Sequence, residues 1–181
     1  MKKILLAVAL SSLSVAASAE GWKFAPGLTE PGFKYEPSIA LTASSIKPHG
    51  ADSATAYGVD INFNCGLIQT PDNRMRTHFS VSRVNEDQYG ATIVELSPRY
   101  TVPLADGFSI GAGPSLGAVR LNVAAAGVPT ETVFAYGVVA GLNYRKGALY
   151  AGLDLGARRT KEKSGLDFDS RAVTLKVGYN F

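Results

Sequence analysis

The stretch RAVTLKVGYNF, Arg171 to Phe181, alternates without a break. Val173, Leu175, Val177, Tyr179 and Phe181 share one face, while Thr174, Lys176, Gly178 and Asn180 share the other. A period of two with one apolar and one polar face is that of a β-strand, not of a helix. About 9–11 such residues closing on aromatics have the length and polarity of one stave of a transmembrane β-barrel.

At the other end of the chain, Lys2 and Lys3 precede an apolar run from Ile4 to Leu10 and a small-residue segment ending Ala17, Ser18, Ala19. This is the pattern of a secretory signal peptide over residues 1–19, cut before Glu20. Its apolar core is too short for a permanent membrane helix, and no Cys follows the cut, so neither a helical anchor nor a lipoprotein is expected. About 162 residues remain, one domain in length, and loss of two lysines takes the formal charge from +3 to +1. Nucleic-acid binding thereby loses its compositional support. Past residue 19 no run reaches the ~18–20 apolar residues of a membrane helix, so a membrane location requires a barrel.

Eight alternating segments fall near residues 37–46, 55–65, 75–85, 91–102, 107–120, 132–145, 148–159 and 170–181. The connections KPHGADSA, NEDQYG, VAAAGVPTE and TKEKSGLDFD are long or polar, and they take turns with GLIQTPDNR, PLADG and RKG. That rhythm matches extracellular loops alternating with periplasmic turns. Parity puts Tyr57, Val59, Ile61, Phe63 and Cys65 on one face of the second segment, opposite Gly58, Asp60, Asn62 and Asn64. Cys65 reads as an apolar strand-wall residue with no disulfide partner. A soluble lipocalin-like barrel has the same period, but the polar faces here are mostly Gly, Ser, Thr, Asn and Ala, which suits a cramped lumen. Aromatics collect at strand ends on the apolar side: Phe63, Tyr100, Phe108 and Tyr144 toward the periplasmic edge, Tyr57, Phe134 and Tyr136 toward the other. Two such girdles are what a bilayer with two interfaces selects.

With the polar faces inward, the lumen holds Asp60, Arg76, His78, Glu95, Arg99, Arg145, Asp154, Arg158 and Lys176. Eight strands leave room for little beyond side chains. Charges of both signs in such a tube must pair, so an ion-paired plug is expected, with Glu95 bonded to Arg99 and to a base from a neighbouring strand. GAGPSLG, Gly111 to Gly117, lacks the Lys-Ser/Thr ending of a phosphate loop, and its alternate glycines serve to keep a narrow lumen from overfilling. With only His49 and His78 and no cysteine partners, no metal site is expected, nor any cofactor. Residues 20–36 have no period and read as a periplasmic lead-in, with Trp22 anchored at the interface, or as a short plug. Arg158, Arg159, Lys161, Glu162 and Lys163 would meet the anionic surface of the outer leaflet.

Eight strands, the loop rhythm, the export signal, SPRY at Ser97 to Tyr100 and the terminal GYNF together resemble the small outer-membrane barrels of the OmpA membrane domain, OmpX and opacity-protein type. The resemblance implies an all-β, eight-stranded antiparallel up-and-down transmembrane β-barrel over residues 37–181, in the cell outer membrane of a Gram-negative bacterium. It implies a monomeric or weakly associated, non-enzymatic protein with a structural or surface-interaction role, in contact with outer-membrane lipid and lipopolysaccharide. Tyr179 and Phe181 resemble the signal read by the barrel-assembly machinery, to which periplasmic chaperones deliver such chains. With no residues after Phe181, a peptidoglycan-binding domain is not expected. A narrow porin-like channel, as suggested for OmpW-like barrels, is the alternative. Some barrels of this size are lipid A deacylases with a His-x-Ser pair, and His78 and Ser80 have that spacing. The family motif continues with Asn and lies late in the chain, whereas Val81 follows here, at mid-chain.

Overall fold

A computed structural model of the chain describes residues 21–50, 52–86, 89–123, 130–161 and 168–181. The signal segment 1–19, Glu162 and Lys163 lie outside the described residues. Period-two patterning becomes strand β2 (Ser38–Pro48), β3 (Ala54–Asn64), β5 (Met75–Asn85), β6 (Tyr89–Pro103), β7 (Phe108–Val123), β8 (Glu131–Lys146), β9 (Leu149–Thr160) and β10 (Ser170–Asn180). Two shorter strands, β1 (Lys23–Phe24) and β4 (Ile68–Gln69), and one helical turn, α1 (Pro26–Thr29), complete the set.

The eight long strands form a closed antiparallel barrel in the order β10-β2-β3-β5-β6-β7-β8-β9. Closure runs in register from Asn180↔Ser38 to Ser170↔Pro48, so no strand edge is left open. The β2–β3, β5–β6, β7–β8 and β9–β10 connections lie at one end, here the loop end. The other three connections lie with the lead-in and Phe181 at the turn end. The β6–β7 turn among these is set by Asp106 (φ 57) and Gly107 (φ 85), consecutive left-handed residues as in a hairpin turn whose twist matches the strands. A side chain at 107 would also run into the Arg145 carbonyl. Pro98 and Pro114 have no N–H to give, and the β6–β7 ladder skips from Leu96↔Leu116 to Tyr100↔Ala112 around them. Ser97 Oγ bridges the gap by donating to the Pro114 carbonyl at 3.0 Å.

Two readings of the sequence need correction here. Residues 21–36 are not merely an aperiodic lead-in, because β1 pairs antiparallel with β4 of the β3–β5 connection, Lys23↔Gln69 and Phe24↔Ile68. The Gln69 amide organises that connection: its oxygen accepts the Met75 N–H at 2.6 Å, and its nitrogen donates to the Met75 carbonyl at 2.9 Å. Cys65 is buried but lies just past β3, its N–H donated to the Met75 carbonyl at 2.8 Å, and is not a strand-wall residue.

Candidate functional site

Strand parity turns Asp60, Arg76, His78, Glu95, Arg99, Arg145, Asp154, Arg158 and Lys176 into the barrel. Lys176 Nζ lies 2.6 Å from Asp154 Oδ2 and 3.5 Å from Asp60 Oδ1. Arg99 Nη1 lies 2.9 Å from the same Asp154 oxygen, and His78 Nδ1 lies 3.1 Å from Asp60 Oδ1. Glu95 takes Arg158 across the lumen. The expected Glu95–Arg99 pairing is therefore replaced by two cross-lumen pairs, Glu95 with Arg158 and Asp154 with Arg99. Three carboxylates and three bases balance at this level, which is how charges survive burial. Toward the turn end, among the described residues, Arg76 and Arg145 have no carboxylate bonded to them; amides, a carbonyl and a ring take that place. Arg76 donates to Asn64 Oδ1 at 2.8 Å, Asn62 Oδ1 at 3.1 Å and the Glu36 carbonyl at 2.8 Å. Arg145 donates to Asn62 Oδ1 and stacks 5.1 Å from the Tyr150 ring centroid.

Above this lattice the lumen changes character. The inward positions nearest the loop end hold Ile46, Ala54, Ala56, Val84, Ala91, Ile93, Val119, Leu121, Val133 and Ala135, all buried against one another. Phe168, from the β9–β10 connection, drops into them at 5% exposure, with Tyr89 edge-on at 6.2 Å. A uniformly polar lumen is thus corrected to two storeys, an ion lattice and an apolar stopper. Between them is a cavity of ≈ 60 Å³ lined by hydroxyls of Thr42, Ser44, Ser80, Ser82, Ser115 and Ser170 together with Glu95, Asp154 and Arg158. A few waters fit, at about 10–15 Å³ each on this measure.

His78 is 2% exposed and bonded to Asp60, and Ser80 faces the same lumen. Among the described residues no group of three or more His, Cys, Asp or Glu is placed to hold a metal ion.

The outer face has the inverse polarity. Leu41, Val59, Ile61, Val81, Leu96, Ile110, Val138, Leu153, Leu175 and Val177 stand exposed around the whole wall. Tyr57, Phe134 and Tyr136 stand exposed near the loop end, Tyr100, Phe108, Tyr179 and Phe181 near the turn end. Tyr144 is half-buried against Phe108, with ring centroids 4.8 Å apart, and Phe63 is half-buried against Tyr35 of the lead-in at 6.4 Å. Outward charges on the strands are basic: Lys47, Arg83, Arg120, Arg159 and Arg171 near the loop end, and Lys146 near the turn end.

At the loop end Asp169 clamps β9 to β10, accepting the Thr160 N–H at 2.7 Å and Arg159 at 2.9 Å. The Thr160 N–H, followed by Arg159, holds its carboxyl below the usual range. A carboxylate depressed on folding contributes stability that is whole above the unfolded value of ~3.9 and lost as pH falls through the folded value. The Thr160 amide resonance is therefore expected to hold still down to about pH 4 and to move below it. Movement complete by pH 5, or unchanged in Asp169→Asn, would contradict this.

No protein-family model and no curated protein matches the chain. Solved structures do match. Neisserial surface protein A aligns at TM-score 0.57 and 14% identity over 81% of this chain and 95% of that one. The N-terminal β-barrel domain of OprF from Pseudomonas aeruginosa aligns at TM-score 0.54 and 16% identity, over 82% and 100%. Outer membrane protein H of P. aeruginosa aligns at TM-score 0.57 and 16% identity, over 81% and 99%. The chain has the fold of the small eight-stranded outer-membrane β-barrels.

Proposed function

We propose that this protein is an integral, non-enzymatic barrel of the Gram-negative outer membrane, closed to solutes, that serves the envelope structurally and through its loops. The observation that carries this reading is the inverted polarity: apolar side chains cover the middle of the wall, the carboxylates of the strands are inside, and the outward charges are basic and confined to the rims. In water such a wall would exceed by far the apolar patch a monomer tolerates. In lipid it is the required solvent-facing surface. The loop end then faces outward and the turn end the periplasm. Residues 1–19 direct export, Tyr179 and Phe181 are read by the barrel-assembly machinery after delivery by chaperones, and the folded monomer sits among outer-membrane lipid and lipopolysaccharide. Partner contacts fall to the loops near 47–54, 86–90, 122–131 and 160–169.

A narrow channel is the competing reading, supported by the polar cavity of ≈ 60 Å³. It requires both the ion lattice and the apolar stopper to move. Heat-modifiable gel mobility of protein extracted from outer membranes, then single-channel recording of the same sample, separates the cases. We expect a mobility shift on boiling and a silent bilayer. Discrete conductance steps altered by Glu95→Gln would favour the channel; absence of the shift would overturn the membrane barrel.

A further inference from the structure

We infer that the closing seam between β10 and β2 carries a binding site for a phosphate-bearing, acylated lipid of the outer leaflet. This rests on the membrane reading above and names one of its lipid contacts. In the seam register Lys47 is the direct partner of Arg171, and both side chains are exposed on the outer face. Arg171 also faces Ala157 on β9, so Arg159 stands two residues along on the same face. Asp169 engages Arg159, but among the described residues neither Lys47 nor Arg171 has an ion-pair partner.

Like charges directly opposite one another destabilise a sheet. Here they sit where the first long strand meets the last, the contact on which closure of the barrel depends. A phosphate monoester offers several acceptor oxygens to Lys and Arg at once, and a single such group converts the repulsion into a bridge. Among the described residues the outward strand positions at this end carry five basic residues, Lys47, Arg83, Arg120, Arg159 and Arg171, and no carboxylate; Asp169, one residue before β10, is already bonded to Arg159 and the Thr160 N–H, so the complement is an anion. It is an acylated one because of what lies directly below. Ala43 leaves β2 low between its register neighbours Tyr57 (68% exposed) on β3 and Leu175 (60%) on β10, and Ser45, next above it on the same face, lies between Thr55 and Val173. That furrow runs from the cation pair down the apolar wall and has the direction of a chain hanging from a headgroup.

The full chain, folded in zwitterionic phospholipid nanodiscs with or without bis-phosphorylated lipid A, tests this through the midpoint of its heat-modifiable mobility transition. Phosphorylated lipid is expected to raise the wild-type midpoint by about 2–4 °C, the shift one modest interaction gives a domain of this size. Dephosphorylated lipid A with the same acyl chains should leave it unchanged. Lys47→Gln with Arg171→Gln should melt no lower than wild type in zwitterionic lipid and gain nothing from the phosphorylated one. Lys146→Gln, at the opposite rim, should keep the full gain. An equal gain in the double variant, an equal loss in Lys146→Gln, or a gain from dephosphorylated lipid would overturn the seam site while leaving the membrane barrel intact. A wild-type chain with no mobility transition in any lipid would overturn both.

Discussion

Asp154→Ala is expected to destabilise the folded barrel by about 3–5 kcal/mol, the cost of breaking a buried pair from one side. Asp154 is 6% exposed and is the carboxylate shared by Lys176 at 2.6 Å and Arg99 at 2.9 Å. Without it Lys176 keeps one carboxylate, Asp60, at the longer 3.5 Å, besides His78 Nδ1 at 3.3 Å, and Arg99 keeps its bond to Ser97 Oγ at 3.2 Å. Arg99 is then a buried cation with no carboxylate bonded to it among the described residues, and Lys176 depends on a carboxylate that already accepts from Asn62 and touches His78. Asp154→Asn holds the volume but not the charge and should lie between alanine and wild type. Asp72→Ala removes an exposed partner of Arg74 in the β3–β5 connection and should leave the midpoint near that of wild type. Urea titration of the barrel in phospholipid vesicles, with folded fraction read by gel mobility, measures all three. An Asp154→Ala midpoint equal to that of wild type would mean that the lattice fills the lumen without holding it.

The nature of that lattice marks where sequence reading reaches its limit. A period of two reports which face a residue is on, and for Asp60, Asp154 or Lys176 that is enough to place it inside a closed sheet. It says nothing about height or about what lies across the lumen. Arg99 on β6 meets Asp154 on β9, strands that are not neighbours in the barrel order, so no local pattern links them. Glu95 and Arg99 share a strand face four residues apart, and that proximity favoured a pairing which the cross-lumen geometry replaces. The apolar stopper was masked for a different reason. Near strand ends both faces are apolar: Val119 and Leu121 face in while Ala118 faces out, and the charges nearby drew the face as polar. Phe168 completes the stopper from a connection that has no period at all. The β1–β4 pairing, between residues in the twenties and the sixties, depends on the barrel bringing its turn end together first. The eight long strands were legible because each is long and one-sided; β4, of two residues, offers no pattern to detect.

Leu175→Arg puts the membrane reading itself at stake. Leu175 is the central residue of β10, with five strand positions on either side, and it is 60% exposed between Ala43 on β2 and Leu153 on β9. If the wall faces hydrocarbon, an arginine at this height costs about 2–4 kcal/mol, since its charge must snorkel or drag water inward. If the wall faced water, replacing an exposed leucine by arginine would shift stability by no more than about 0.5 kcal/mol and would improve solubility. The two environments therefore predict opposite results from one substitution, and the fold is the same in either case. Leu175→Ala sets the scale for lost apolar contact alone. Arginine at Thr55, an outward position at the loop-end rim of β3, should cost only about 0–1 kcal/mol because the penalty falls toward the interface. A steep decline in folded fraction for Leu175→Arg, shallow for the rim variant, is the depth dependence that only a bilayer imposes. Equal, small effects at both heights would leave the apolar wall without a lipid to face.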